Sequence, residues 1–157
     1  MFTHTLAELI PPSHPLKETT LQVENGQTDL TALRARLGLL RRRGLADAGL
    51  IIVSSEGWLR GYITQTELEH ALNQLAGLPG PTKCSLIAGN GMDGEDISVF
   101  VDRTSIMLGK DTPIEVVAEV FGRVGCQYVC IVEDGKGFGV VIKKQFLMFM
   151  EEMTKRH

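Results

Sequence analysis

Apolar side chains recur along this chain with two periods, and the order of those periods occurs twice. Leu30, Leu33, Leu37 and Leu40 fall on one face of a 3.6-residue helix, and so do Ile114, Val117, Ala118 and Phe121. The runs GLIIV and QYVCIV are short, apolar and rich in β-branched residues, which predicts buried strands. The polar, glycine-containing SSEG and EDGKG follow them and predict hairpin turns, with WLRGYIT and GFGVVI as the returning strands. ITQTELEHALNQL and KKQFLMFMEEM then read as closing helices. Thr112-Pro113-Ile114-Glu115 supplies a capping threonine, a first-turn proline and a following glutamate, while Thr28 or Asp29 can cap the equivalent helix of the first copy.

These elements form an internal repeat. Setting Gly61 over Gly139 gives an offset of 78, at which Ile52 meets Cys130, Gly57 meets Gly135, Ile63 meets Val141 and Leu68 meets Phe146. Each copy reads β-α-β-β-α, so the expected class is α/β (α+β). The first copy with its N-terminal lead-in spans 1–77, a Gly/Pro-rich and partly mobile linker spans 78–97, and the second copy spans 98–157. Neither unit is large enough for a good core alone, so the two are expected to pack about a pseudo-twofold axis.

Composition narrows the function classes. Of 157 residues, 43% are hydrophobic and 22% charged, which is globular composition. A net charge of −3 excludes a broadly basic, nucleic-acid-binding surface. No apolar run is long enough to span a bilayer, and the start MFTHTLAELIPPSHP lacks the pattern of a secretory signal. A soluble, intracellular chain is expected. Cys84, Cys126 and Cys130 form no C-x-x-C pair; Cys126 and Cys130 are expected on one face of a strand, as buried reduced thiols. The histidines are scattered, so no metal site is expected. No nucleophile elbow, P-loop, paired-carboxylate or Cys-His arrangement appears, and GKGFG sits in a hairpin without the helix a phosphate loop needs. No enzyme is expected.

The duplicated unit, with a second hairpin ending in G-h-h-[IT]-x-x-x-h, resembles a tandem pair of CBS (cystathionine-β-synthase-type) domains, a Bateman module. The second copy is similar to that of eukaryotic CLC chloride channels and chloride/proton antiporters. The residues carrying this are Thr112-Pro113-Ile114-Glu115-Val116-Val117 with Phe121, then Gly125-Cys126-Gln127-Tyr128-Val129, then Gly139 through Leu147 as GVVIKKQFL. GLADAGLIIV and GYITQTELEHAL resemble fungal intracellular members. The resemblance implies the cytosolic piece of a transporter on a Golgi-, endosome- or vacuole-type membrane, soluble by itself and touching membrane only through the parent protein. It also implies a homodimer and contact with the parent's transmembrane domain.

The resemblance further implies a nucleotide cleft between the copies. The first such cleft would use Thr20, Ala46, Asp47, Lys144 and Gln145; the second would use Thr64 and Glu67 with Val124, Gly125 and Cys126. Both depart from the family pattern. Ile142 and Gln145 replace the threonine and aspartate, Ala46 offers no ring, and Asp47 would repel a phosphate unless it faces the ribose. Helix N-capping is the preferred reading of Thr64, Glu67 and Gln145. No cofactor is required; ATP, ADP or AMP are the ligands the resemblance allows. The implied function is modulation of gating, assembly or trafficking by a module with a degraded nucleotide site; the alternative is a stand-alone adenine-nucleotide sensor regulating a soluble partner.

Three surface features remain. Arg34, Arg36, Arg41, Arg42 and Arg43 could meet phosphates or an acidic face, but a solvated helix end before Gly44 is preferred. The closing helix from Phe146 to Met153 is apolar nearly all round, and Phe146, Met150 and Met153 are assigned to a dimer or partner surface. Trp58, beside a turn, is read as a packing residue.

Overall fold

A computed structural model describes residues 4–9, 19–42, 49–87, 94–124 and 126–155. After one tight turn at Leu6–Leu9 come β1 (Thr20–Gln22), β2 (Gln27–Asp29), α1 (Leu30–Arg42), β3 (Gly49–Val53), β4 (Leu59–Thr64) and α2 (Gln65–Gln74). The chain continues with β5 (Lys83–Ser85), β6 (Glu95–Asp96), β7 (Met107–Gly109), α3 (Ile114–Val124), β8 (Tyr128–Glu133), β9 (Lys136–Ile142) and α4 (Lys143–Lys155). In the first sheet β1 runs parallel to β3 and β3 antiparallel to β4; β7, β8 and β9 repeat that arrangement. The fold is α+β, with two β-α-β-β-α units.

Strand alternation divides each sheet between two environments. Leu50, Ile52 and Ile63 join Leu30, Leu33, Leu37 and Leu40 in a core under α1 and α2. Val129, Ile131 and Val141 join Ile114, Val117, Phe121 and Phe146 in a second core. The opposite faces supply Ile51, Val53, Tyr62 and Cys130, all buried together where the repeats meet. Each such side chain contributes roughly 1.5–3 kcal/mol by leaving water. Of the two candidate caps of α1, Asp29 serves: its Oδ1 accepts from the Ala32 amide at 2.8 Å.

Several placements differ from the sequence pattern. Part of the stretch between the copies is ordered. β5 pairs antiparallel with β2 and parallel with β6, and Cys84, Leu86, Ile87 and Ile97 enter the first core. The lead-in packs on the second repeat instead of the first: Leu6 is buried in the second core, and its amide donates to the Thr112 carbonyl at 2.9 Å. The repeat offset slips by one residue before the turn. Ile51 pairs with Thr20 and Tyr62 as Cys130 pairs with Met107 and Val140, so Ile51, not Ile52, matches Cys130. The longer first turn, Ser54 to Trp58, absorbs the extra residue. Cys126 precedes β8 and packs toward the second core, whereas Cys130 faces the other repeat, so the two thiols do not share a strand face.

The repeats are also joined at their hairpin tips. Trp58 pairs with Lys136 as an antiparallel bridge; the Leu59 amide donates to Gly135 and the Gly137 amide to Gly57. Gly135 has φ +80 and the Trp58 ring directly over it, so both its backbone and its missing Cβ are required there. Trp58 is thus a packing residue between repeats, though half-exposed.

Candidate functional site

The first cleft is only partly described, because Ala46 and Asp47 lie outside the described residues. Thr20 starts β1 in the row Thr20–Ile51–Tyr62, and its hydroxyl is buried without a hydrogen-bond partner. It lines a cavity of about 390 Å³ between the repeats, together with Gln22, Arg36, Glu56 and Lys136. Gln145, in the first turn of α4, lines a different groove beside Glu8 and Phe149. Its Oε1 accepts from the Ile142 amide at 3.2 Å, so it caps the start of α4. Lys144 is exposed on the same turn. The structure therefore sets Thr20 and Gln145 in separate cavities.

Of the residues expected in the second cleft, Thr64 ends β4 and Cys126 stands just before β8. Thr64 is the N-cap of α2, its hydroxyl accepting from the Glu67 amide at 3.2 Å. Gly125 and the Val124 side chain lie outside the described residues. Three residues absent from the sequence-based site form a connected cluster between the repeats. Tyr62 and Tyr128 stack across the repeats with ring centroids 4.2 Å apart. The Tyr128 hydroxyl donates to Oδ2 of Asp102, whose Oδ1 accepts from the Thr104 amide at 2.9 Å and its hydroxyl at 3.1 Å. Asp102 also exchanges both backbone hydrogen bonds with Tyr62, at 2.9 and 2.8 Å. Tyr128 belongs to the quoted motif run, but Asp102 carries no periodic signal, since only tertiary pairing with the free edge of β4 brings it here.

Electrostatics follow from these contacts. Burial works against the Asp102 charge, yet hydrogen bonds from Tyr128 and Thr104 outweigh it and hold the carboxyl below its ordinary value. Burial first, and then for Tyr128 the neighbouring Asp102, push both tyrosine hydroxyls well up, so they stay protonated. Burial raises the Cys130 thiol to about 11 and raises Cys84 and Cys126 as well, so none is poised as a nucleophile. Among the described residues no group of His, Cys, Asp or Glu is placed to hold a metal ion.

The basic cluster is engaged locally. Arg41 pairs with Glu69 at 3.2 Å, Arg34 donates to the Leu78 carbonyl at 3.0 Å and Arg42 to the Gly38 carbonyl at 3.3 Å. Arg43 lies outside the described residues. On α4, Phe146 is not a surface residue: it is 4% exposed and its ring lies 5.1 Å from Phe121 in the second core. Met150 and Met153 are half-buried, and the large apolar side chains in the open are Leu147 and Met148. No helix among the described residues is long and apolar enough to cross a membrane.

No family model and no curated protein matches this chain in sequence. Solved structures do match in fold. The CBS domain pair of protein MJ0100, in complex with 5′-methylthioadenosine and S-adenosyl-L-methionine, superposes with a TM-score of 0.62 at 16% identity, covering 96% of this chain and 98% of that one. CBSX2 in complex with AMP gives 0.60 at 15% identity, with the same coverages. The CBS domains of a transcriptional regulator from Streptococcus pneumoniae give 0.56 at 16%, covering 92% and 98%. The fold is that of a CBS-domain pair.

Proposed function

We propose that this CBS pair is a regulatory and dimerisation module of a CLC-type chloride channel or chloride/proton antiporter, held on the cytosolic side of an intracellular membrane and without catalytic work of its own. The observation that carries the regulatory reading is the interface itself. The repeats meet through one buried set of side chains, while Thr64 and Gln145, the groups that would meet a nucleotide, are engaged in capping their own helices. The likeness of Thr112–Phe121 and Gly139–Leu147 to CLC segments supports the transporter assignment. Such a module acts when a partner prefers one arrangement of the repeats, a differential typically worth about 1–3 kcal/mol. The α4 face bearing Leu147 and Met148 is the surface offered to a second copy or to the membrane domain. Chloride flux through the full-length gene product in liposomes tests the reading. Flux that Met148→Glu alters supports it, and a full-length product carrying no chloride overturns it.

The unpartnered Thr20 hydroxyl favours a second reading, in which the module senses a nucleoside ligand. Arg36 and Lys136 beside it would suit a phosphate, and two of the similar solved pairs hold adenosine compounds. Calorimetry with AMP, ATP and S-adenosylmethionine decides it. Binding abolished by Thr20→Val supports the sensor, and the absence of binding heat removes it.

A further inference from the structure

We infer that α4 pairs antiparallel with α4 of a second copy of this chain, Leu147 and Met148 packing about a twofold axis and Lys144 of each copy meeting Glu151 of the other. The core fixes how the helix is turned. Phe146 is 4% exposed and lies against Phe121, which leaves Leu147 and Met148 on the outside, 55% and 60% exposed. Lys144, Leu147, Met148 and Glu151 stand at i, i+3, i+4 and i+7, so they form one stripe of this 13-residue helix, exposed along its length.

The stripe is complementary to itself in one direction. Lys144 precedes the apolar pair by three residues, and Glu151 follows it by three. A twofold axis between Leu147 and Met148 therefore sets Lys144 opposite the second copy's Glu151, twice, and Leu147 opposite Met148. Parallel pairing in register would bring like charges together at both ends. Within one copy Glu151 meets Lys155 at 3.5 Å, but these side chains are 68% and 74% exposed, so their pair contributes little and a second lysine can join it. A groove of about 480 Å³ runs beside Met148, lined also by Glu8, Phe149 and Glu152, which gives the second helix room and its lysines further carboxylates. Two helices about 20 Å long cover less than the ~1,200 Å² of a stable interface, so the dimer is weak and concentration-dependent. The inference rests on the dimerisation reading above and not on the transporter assignment.

Sedimentation equilibrium of the chain from about 1 µM to about 1 mM tests it. The wild type should pass from monomer to dimer across that range. Met148→Glu should weaken association about tenfold or more by placing a charge against the partner's Leu147. Lys144→Glu alone, or Glu151→Lys alone, should do the same by setting like charges opposite each other. Lys144→Glu combined with Glu151→Lys restores two opposite-charge pairs and should return to within about threefold of the wild type. The three positions are exposed, and unchanged thermal unfolding of the dilute variants verifies that they fold. A double variant no tighter than the single ones, or a dimer that Met148→Glu leaves intact, overturns this pairing while the dimerisation reading stands. A chain monomeric throughout overturns both and leaves the α4 face to a different partner.

Discussion

Gly49 and Tyr128 stand at the same position of two repeats with the same strand order, yet they make opposite entrances to the interface. A Cβ at Gly49 would overlap the Ile63 carbonyl oxygen, so the first repeat needs the absence of a side chain there. Tyr128 carries a ring instead, which reaches Tyr62 and Asp102. A duplicated fold thus holds two clefts that are not duplicates. The difference lies in what each repeat draws in beyond its own sheet. The first core takes in Cys84, Leu86 and Ile97 from the segment between the copies, whereas Tyr128 takes Asp102 from the stretch of its own copy ahead of β7.

The most damaging change to this asymmetry is Tyr62→Ala. It removes a ring that is 1% exposed and stacked across the repeats, and should cost about 3–5 kcal/mol in urea unfolding. Its counterpart Val140→Ala, only half-buried, should cost about 1 kcal/mol. Next comes Gly49→Ala, expected to cost about 2 kcal/mol by overpacking against β4. Equal losses at Tyr62 and Val140 would show that the two sides of the interface are alike after all.

A smaller effect carries a pH signature. Asp102→Asn should cost about 1 kcal/mol at neutral pH, solvent screening having reduced a charge-assisted bond to that level. The folded carboxyl is held below its unfolded value, ordinarily about 3.9. Its stabilisation is therefore present above that value and is lost as pH falls through the folded one. Urea midpoints of wild type and variant should differ at neutral pH and converge in strong acid; a gap that persists there assigns the loss to packing. Smallest is Trp58→Ala, about 0.5–1 kcal/mol for a half-exposed ring at the hairpin tips. As the sole tryptophan, Trp58 also reports by fluorescence whether the tips stay together when Tyr128 is replaced.

Much of the fold was readable from periodicity, because the leucine stripe of α1 and the apolar runs of β3 and β8 bury themselves as their spacing requires. The capping roles of Thr64 and Gln145 were readable for a local reason: both contacts span three residues. At Phe146 the structure departs from the partner face expected of α4, since a helix apolar nearly all round does not reveal which stripe a neighbour covers; Phe121 covers that one. The strands β5 and β6 were hidden by their glycine-rich, polar setting. β5 forms because β2 offers it an edge, and β6 because β5 offers the next, not because their residues favour strands. Asp102 was unreadable for the same kind of reason, and the one-residue slip at the first hairpin concealed that Tyr128 answers to Gly49.

The inequality of the two clefts is tested most directly by a crystal structure grown with saturating AMP. The account predicts Tyr128 still stacked on Tyr62 and hydrogen-bonded to Asp102, with no nucleotide beside Thr64, whether or not AMP lies against Thr20. Nucleotide seated beside Thr64, with Tyr128 in place or displaced, would contradict it.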